Sequence, residues 1–464
     1  MRGNRPFDQR LRFASGVVLL VISSALFAST AFLKAFAKLL VTRAPKPGAV
    51  RYAAPFEAAA ANEEPPEAVV KAFINETARR EVSTLFRCNE AEVAQHVARV
   101  ELSTYRWERV RRSNLPAPWS DVPQLRSFRE CLSQTGHMPF GTVISQDQRL
   151  VTWTPGRNVS TPHSTMHGGG VECVSNSIGP IAEELLSSPT IDDLEWVWGD
   201  TAMATMSVDD IRLALKHAEV ALIGDSLTRQ QFYSLCCLLD MFDAEPKRIH
   251  YLSVDMISQM QHYHAEVINS SDIVLFGIGH HMDRSKDFHA TYEENLDTVF
   301  NYAAARRREG AAMWVRTRCP RHYLAGDPQP PDMRAYRLPG DTNQPPCHNF
   351  TGPATNLTYA VLNRFDATGV PFMNCQLHKR HQAMLVKGRK DVHLLDTEAL
   401  SFFRPDQHNR NGSVYSRGSQ GKLPCDLSHY CYAGSAPSVP DTWNILWLNR
   451  IVADWKKQDR SVAR

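Results

Sequence analysis

The sequence predicts an α/β fold around a central, mainly parallel sheet, set behind a membrane-spanning helix and a stem. Three observations carry this. Short apolar runs at 219–223 (EVALI), 272–278 (DIVLFGI) and 312–315 (AMWV) each lead into a polar motif. Between the first two lies 227–241 (LTRQQFYSLCCLLDM), whose apolar residues have helical spacing. Finally, 21 residues at 13–33 hold no formal charge. Apolar strands alternating with helices favour a parallel sheet covered by helices.

Taken in order, residues 1–12 read as a cytosolic tail. Segment 13–33 is long enough to cross about 30 Å of hydrocarbon as a helix, so it reads as a transmembrane signal anchor. The small residues at 28–31 leave cleavage open. Charge is uneven. Residues 1–51 hold nine Lys/Arg against one acid, Asp8, while the rest of the chain holds 43 basic and 48 acidic groups, a net of −5. The body therefore lacks the basic footprint of a nucleic-acid-binding protein, and no nucleic-acid partner is expected. Six glycosylation sequons (Asn75, Asn158, Asn269, Asn349, Asn356, Asn411) and all ten Cys follow the apolar segment. Both features suit an oxidising lumen and a single-pass type II orientation.

Segment 34–115 reads as a partly helical stem. It opens with Pro45, Pro47, Pro55, Pro65 and Pro66. At 67–112 it has charged, helical composition, which equally suits the start of the folded domain. Residues 116–464 read as one large lumenal domain. With 43% apolar and 22% charged residues overall, the chain can bury a core.

Two motifs carry chemistry. Gly224, Asp225 and Ser226 follow a strand and open a helix. The glycine permits a tight turn, and the helix N-terminus offers free N–H groups to a developing oxyanion. A serine there is either a nucleophile or only an N-cap. Asp426 and His429 form a D-x-x-H motif near the C-terminus. Serine attack needs an imidazole as base and a carboxylate to orient it, and this spacing projects both from one short segment.

The order GDS then D-x-x-H resembles SGNH-type hydrolases and acyltransferases. The likeness narrows at 426–434 (DLSHYCYAG) and 439–444 (VPDTWN), which resemble the D-C-S-H-W-C-L-P-G-x-P-D-x-W-N ending of the trichome birefringence-like family. That family is a PC-esterase group of polysaccharide O-acetyltransferases. Segments 223–229 (IGDSLTR), 316–322 (RTRCPRH), 396 and 403–408 (FRPDQH) resemble its other motifs, and 194–198 (LEWVW) is similar to its W-x-W segment. The resemblance implies an SGNH-like three-layer fold and a glycan O-acetyltransferase of the Golgi. Ser226 would be nucleophile, His429 base and Asp426 its orienting group. The N–H groups of Ser226 and Gly279 would form the oxyanion site. Arg229, His280, Arg316, His322, Arg404, Asp406 and His408 are candidates for binding substrate. For Arg316, His322, Arg404, Asp406 and His408 a structural hydrogen bond or salt bridge is equally open. Its partners would be an acyl donor as co-substrate, a polysaccharide or glycan acceptor and the membrane, with no bound cofactor.

The chain also departs from the family. Gly277 stands where the family has Asn, Gln230 where it has Asn, and Tyr430 where it has Trp. An esterase using the same groups and a catalytically silent glycan-binding protein remain alternatives, the latter favoured by Gly277. The resemblance further implies disulfides at Cys425 and Cys431: Cys425 with Cys347, and Cys431 with Cys88, Cys131 or Cys173. Cys236 and Cys237, on the apolar helix, are expected as buried thiols. His262, His264, His280 and His281 match no metal-site spacing, so no metal is assigned. Trp153, Trp196, Trp198 and Trp443 are expected in the core, with sugar stacking as the alternative.

Overall fold

The computed structural model describes residues 86–101, 107–111, 114, 120–121, 123–124, 127–128, 131, 142–145, 149–156, 194–198, 207–255, 262–277, 279–281, 288–306, 310–320, 370–388, 392–404, 407–409, 414–415, 422–423, 426–430 and 437–462. The expected tail and anchor, 1–33, lie outside these residues. Among the described helices none is long and apolar enough to cross a membrane.

The described strands are β1 (Trp107–Arg111), β2 (Thr142–Ile144), β3 (Leu150–Trp153), β4 (Leu194–Trp198), β5 (Glu219–Gly224), β6 (Arg248–Ser253), β7 (Ile273–Gly277), β8 (Ala312–Arg316), β9 (Val392–Leu395), β10 (His408–Asn409), β11 (Val414–Tyr415), β12 (Lys422–Leu423) and β13 (Asp426–Tyr430). Seven form one sheet in the order β2-β3-β6-β5-β7-β8-β9. The five strands β6, β5, β7, β8 and β9 are parallel, and β3 and β2 add an antiparallel edge. The expected α/β fold with a mainly parallel sheet is therefore the observed one. The chain runs from β5 to β6 on one side, then crosses to β7 on the other. This reversal leaves a crevice at the C-terminal ends of β5 and β7, where open α/β sheets bind ligands.

Among the described residues eight helices flank these strands: α1 (Glu90–Glu101), α2 (Val208–Leu215), α3 (Ser226–Met241), α4 (His262–Ser270), α5 (Phe288–Arg306), α6 (Val370–Val386), α7 (Glu398–Phe402) and α8 (Val439–Val462). Strand alternation sorts the core into two layers. Val220, Leu222, Tyr251, Leu275 and Trp314 pack with Ile211 of α2, the apolar residues of α3 and Trp447 of α8. Their neighbours Ala221, Ile223, Leu252, Phe276 and Val315 pack instead with Ile268 of α4, Tyr292 and Leu296 of α5, and Leu377 of α6. Helices thus cover both faces, giving the three layers. Because both faces are covered, the central strands are continuous apolar runs.

Part of segment 67–112, read as stem or as the start of the folded domain, is packed on the body. Helix α1 opens with a capping box, in which Glu92 N donates to Asn89 Oδ1 and Asn89 N donates to Glu92 Oε2. Its Val93, Val97 and Val100 are buried with Cys375, Ala399 and Phe402, and Cys88 is disulfide-bonded to Cys375. A second disulfide joins Cys131 to Cys237 on α3. These bridges correct two expectations. Cys237 is not a thiol, although Cys236 is free and buried. Cys88 and Cys131 are also taken, so neither partners Cys431. The sequence could not foresee these pairs, because each depends on two segments brought together by the sheet. Cys173, Cys347, Cys425 and Cys431 lie outside the described residues. Trp153 and Trp443 are buried, as expected of core residues; the side chains of Trp196 and Trp198 lie outside the described set.

Candidate active site

Helix α3 begins at the C-terminal end of β5, at the sheet's crevice. The turn between them is held from several sides. Asp225 is the N-cap, its side chain accepting from Leu227 N at 3.0 Å. Burial pushes the Asp225 carboxyl up, against the opposing charge of Arg316. Tyr251 Oη donates to Asp225 O at 3.0 Å. Gly224 has φ +156°, and a Cβ there would overlap Gly277 O and Thr228 Oγ1. The turn therefore requires glycine.

Ser226 is the first residue of α3, and its Oγ lies 2.6 Å from Nε2 of His429. The residues are 203 positions apart in sequence, and β13 carries His429 to the helix N-terminus. Both side chains are partly buried. Asp426 begins the same strand, but its side chain lies outside the described set. His280 is buried beyond β7, its ring 6.2 Å from that of His429 and 5.4 Å from that of His281. Gly279, also in this loop, has φ +117°, again a glycine conformation.

The other candidates sit differently. Arg316 is buried. It donates to Gln231 Oε1 at 2.8 Å and Thr228 Oγ1 at 3.3 Å, with its guanidinium 4.6 Å over the Trp443 ring. Arg404 is fully buried with its guanidinium 4.1 Å over Trp107. His408 is buried too, donating from Nδ1 to His429 O at 2.7 Å and lying against the Tyr430 ring at 4.4 Å. Arg229 is buried on α3. His322 and Asp406 lie outside the described residues. The structure thus brings Ser226, His429, His280 and His408 together, whereas Arg316 and Arg404 lie within the packing behind them.

Gly277 closes β7 beside the turn. A Cβ there would overlap Thr228 Oγ1 and come within 2.9 Å of Arg316 Nη2, so this backbone has no room for a side chain. Thr228 Oγ1 donates instead to Gly277 O at 2.9 Å. Residues that the sequence offered only as motif matches prove to be packing groups. Asp441 accepts from Ser234 Oγ at 2.6 Å and Ser438 N at 2.7 Å, while Asn444 donates to Gln231 O and Ser234 Oγ. Together they fasten α8 to α3.

Sequence reasoning also missed Gln230. This fully buried residue donates to Tyr430 O at 2.5 Å and accepts from Tyr430 N at 3.1 Å. Its only signal was its departure from the family's Asn.

One His/carboxylate group among the described residues has metal-ligand proximity: His96, His378 and Glu398, distant in sequence from the catalytic motifs. His96 Nε2 donates to Glu398 at 2.7 Å, and Arg99 donates to His378 Nε2 at 2.7 Å and to Asp396 at 3.2 Å. Protein groups therefore already satisfy these atoms, with the Arg99 guanidinium as the cation. Burial works to raise the Asp396 carboxyl, but His378 and Arg99 together hold it well below the usual range.

With this geometry in view, comparison with known proteins finds a match at residues 239–450 to PC-Esterase, described as a GDSL/SGNH-like acyl-esterase family found in Pmr5 and Cas1p. Two curated relatives are from Arabidopsis thaliana. Trichome birefringence-like 13 is 26% identical over 156 residues, 33% of this chain and 31% of the relative. Trichome birefringence-like 40 is 40% identical over 70 residues, 15% of this chain and 16% of the relative. The match therefore spans less than a third of either relative. Asp426 and His429 fall within the matched domain, whereas Ser226 precedes it and joins it through α3.

Proposed function

We propose that this protein is a membrane-anchored glycan O-acetyltransferase working through an acyl-enzyme. The 2.6 Å approach of Ser226 Oγ to His429 Nε2 at a helix N-terminus carries the reading. His429 Nε2 takes the Ser226 proton as Oγ attacks the acyl donor's carbonyl carbon. The carbonyl oxygen becomes an oxyanion at the N–H groups of Ser226 and Gly279. As the intermediate collapses, the bond to the donor's leaving group breaks, and His429 returns the proton to that group. A glycan hydroxyl then loses its proton to His429 and attacks the ester, and Ser226 is regenerated by the same proton. Asp426 orients His429 throughout. His322 and Asp406 are candidate glycan contacts, while the buried His280 ring lies beside that of His429. The apolar segment 13–33 suits a single-pass type II protein of the Golgi membrane.

Hydrolysis is the second reading, favoured by the acyl-esterase description of the matched family. The two differ only in which hydroxyl attacks the acyl-enzyme, a glycan's or water's. Incubating the purified protein with labelled acetyl donor and a glycan panel separates them: label on glycan supports transfer, and label released only as acetate supports hydrolysis. Ser226→Ala should abolish both while leaving folding and secretion intact. Normal turnover by a folded Ser226→Ala protein would overturn the mechanism.

A further inference from the structure

Gln230 and Ser226 are four residues apart on α3, hence one turn apart on the same face. Both meet β13, at consecutive positions: Ser226 at His429 and Gln230 at Tyr430. The Gln230 amide pairs with both the C=O and the N–H of Tyr430, as a neighbouring strand would. On the other side, His408 donates to the carbonyl of His429 itself. A carbonyl only accepts, so this bond fixes the proton of His408 on Nδ1.

Resting on the acyl-transfer reading above, we propose that Gln230 is the positioning residue that sets the register between the helix bearing the nucleophile and the strand bearing the base. Among the described strands β13 pairs with the two-residue β10, with a register shift between His408 and Asn409; beyond that ladder, its buried Tyr430 side chain packs on Trp443 and donates from Oη to Pro320 O at 3.3 Å. A ladder that short and irregular fixes position poorly along the strand. A single buried amide that pairs with both the N–H and the C=O of one residue fixes it well, because sliding by one residue breaks both bonds at once. Glutamine suits the task because its amide both donates and accepts. Methionine fills the space but does neither, and a carboxylate only accepts.

The test compares wild-type full-length protein with Gln230→Met and Gln230→Glu. It reads the rate at which a fluorophosphonate probe labels Ser226, together with kcat and KM for acyl transfer. In folded Gln230→Met, labelling and kcat should fall about tenfold to hundredfold, the scale expected for misplacing a reacting group, with KM within about twofold. Gln230→Glu should fall similarly at neutral pH. Its activity relative to wild type should rise as pH is lowered, because a protonated carboxyl again both donates and accepts. Lost packing alone would not produce that pH-dependent recovery. Folded variants that label and turn over like wild type would overturn the proposal. Loss of fold in both would also overturn it, making Gln230 a folding residue. Failure of the underlying reading looks different: wild-type protein itself would then be unlabelled, or labelled as fast as Ser226→Ala.

Discussion

A few side chains decide what this site can do. His429 reaches Ser226 at 2.6 Å because β13 delivers it to the start of α3. An imidazole so placed still has to present an unprotonated Nε2 to the hydroxyl. Its Nδ1 proton therefore needs an acceptor, and Asp426, three residues earlier, is the expected one. Asp426→Asn should reverse that preference, since an amide can donate where a carboxylate only accepts. The expected outcome is a fall in kcat of about 10²–10⁴ with an unchanged melting temperature, read by steady-state kinetics and thermal denaturation. An unchanged rate would mean that another group, or none, orients His429. Motif order brought out Ser226 and His429, whose side chains the fold places together. The roles of Gln230 and His408 were not legible, because each acts on the backbone of a strand far away along the chain. A side chain that bonds main chain leaves no trace in the identity of its partner. Arg316 and Arg404 illustrate the converse: their charge invited a substrate-binding role, yet each is buried over an indole.

Among the elements, β5, β7, β8 and α3 were readable because each is a continuous run of local signal. Strands β2 and β3 are only three and four residues long; they pair antiparallel with each other, and β3 also pairs with the distant β6, so their local pattern was too short to announce them. Strand β5 carries an unusual load at its start. Glu219 is buried in the central strand and accepts from Lys247 at 2.8 Å and from His250 at 3.2 Å, tying β5 to the start of β6. Burial works to raise its carboxyl, but hydrogen bonds and charge from His250 and Lys247 bring it down to about 2, from an ordinary value of 4.5. A depressed folded value favours the native state above the unfolded pKa. That contribution should be full above about pH 4.5 and disappear as pH falls toward 2. Glu219→Gln should therefore lower stability at neutral pH and flatten the loss between pH 4.5 and 2. Melting temperatures of both proteins across that range check it. Parallel curves would show that the Glu219 contacts add nothing to acid sensitivity.

Across the whole molecule, the boundary between stem and enzyme is the feature most open to direct test. Composition left 67–112 open as a helical stem or as the start of the folded domain, with the expected boundary at 115. The structure lays α1 on the body. Cys88 is bonded to Cys375 across 287 residues. His96 meets the buried Glu398, and Trp107 Nε1 donates to Leu400 O beneath the Arg404 guanidinium. A chain beginning at 116 would uncover Cys375, Ala399 and Phe402. It would also leave Glu398 and Arg404 without these partners, in a region where unpaired buried charge is costly. Loss of the Cys88–Cys375 bridge alone should cost about 2–4 kcal/mol. Secreted protein beginning at 116 should therefore melt well below protein beginning at 80, or fail to accumulate. Cys88→Ser with Cys375→Ser in the longer protein should fall between them, since it keeps the buried face of α1 and loses only the bridge. Equal melting temperatures for the two lengths would return α1 to the stem. The longer form alone should then present Ser226 and His429 in working order. Segment 396–404, which α1 and Trp107 cover, leads through Gln407 into the strand whose His408 grips His429.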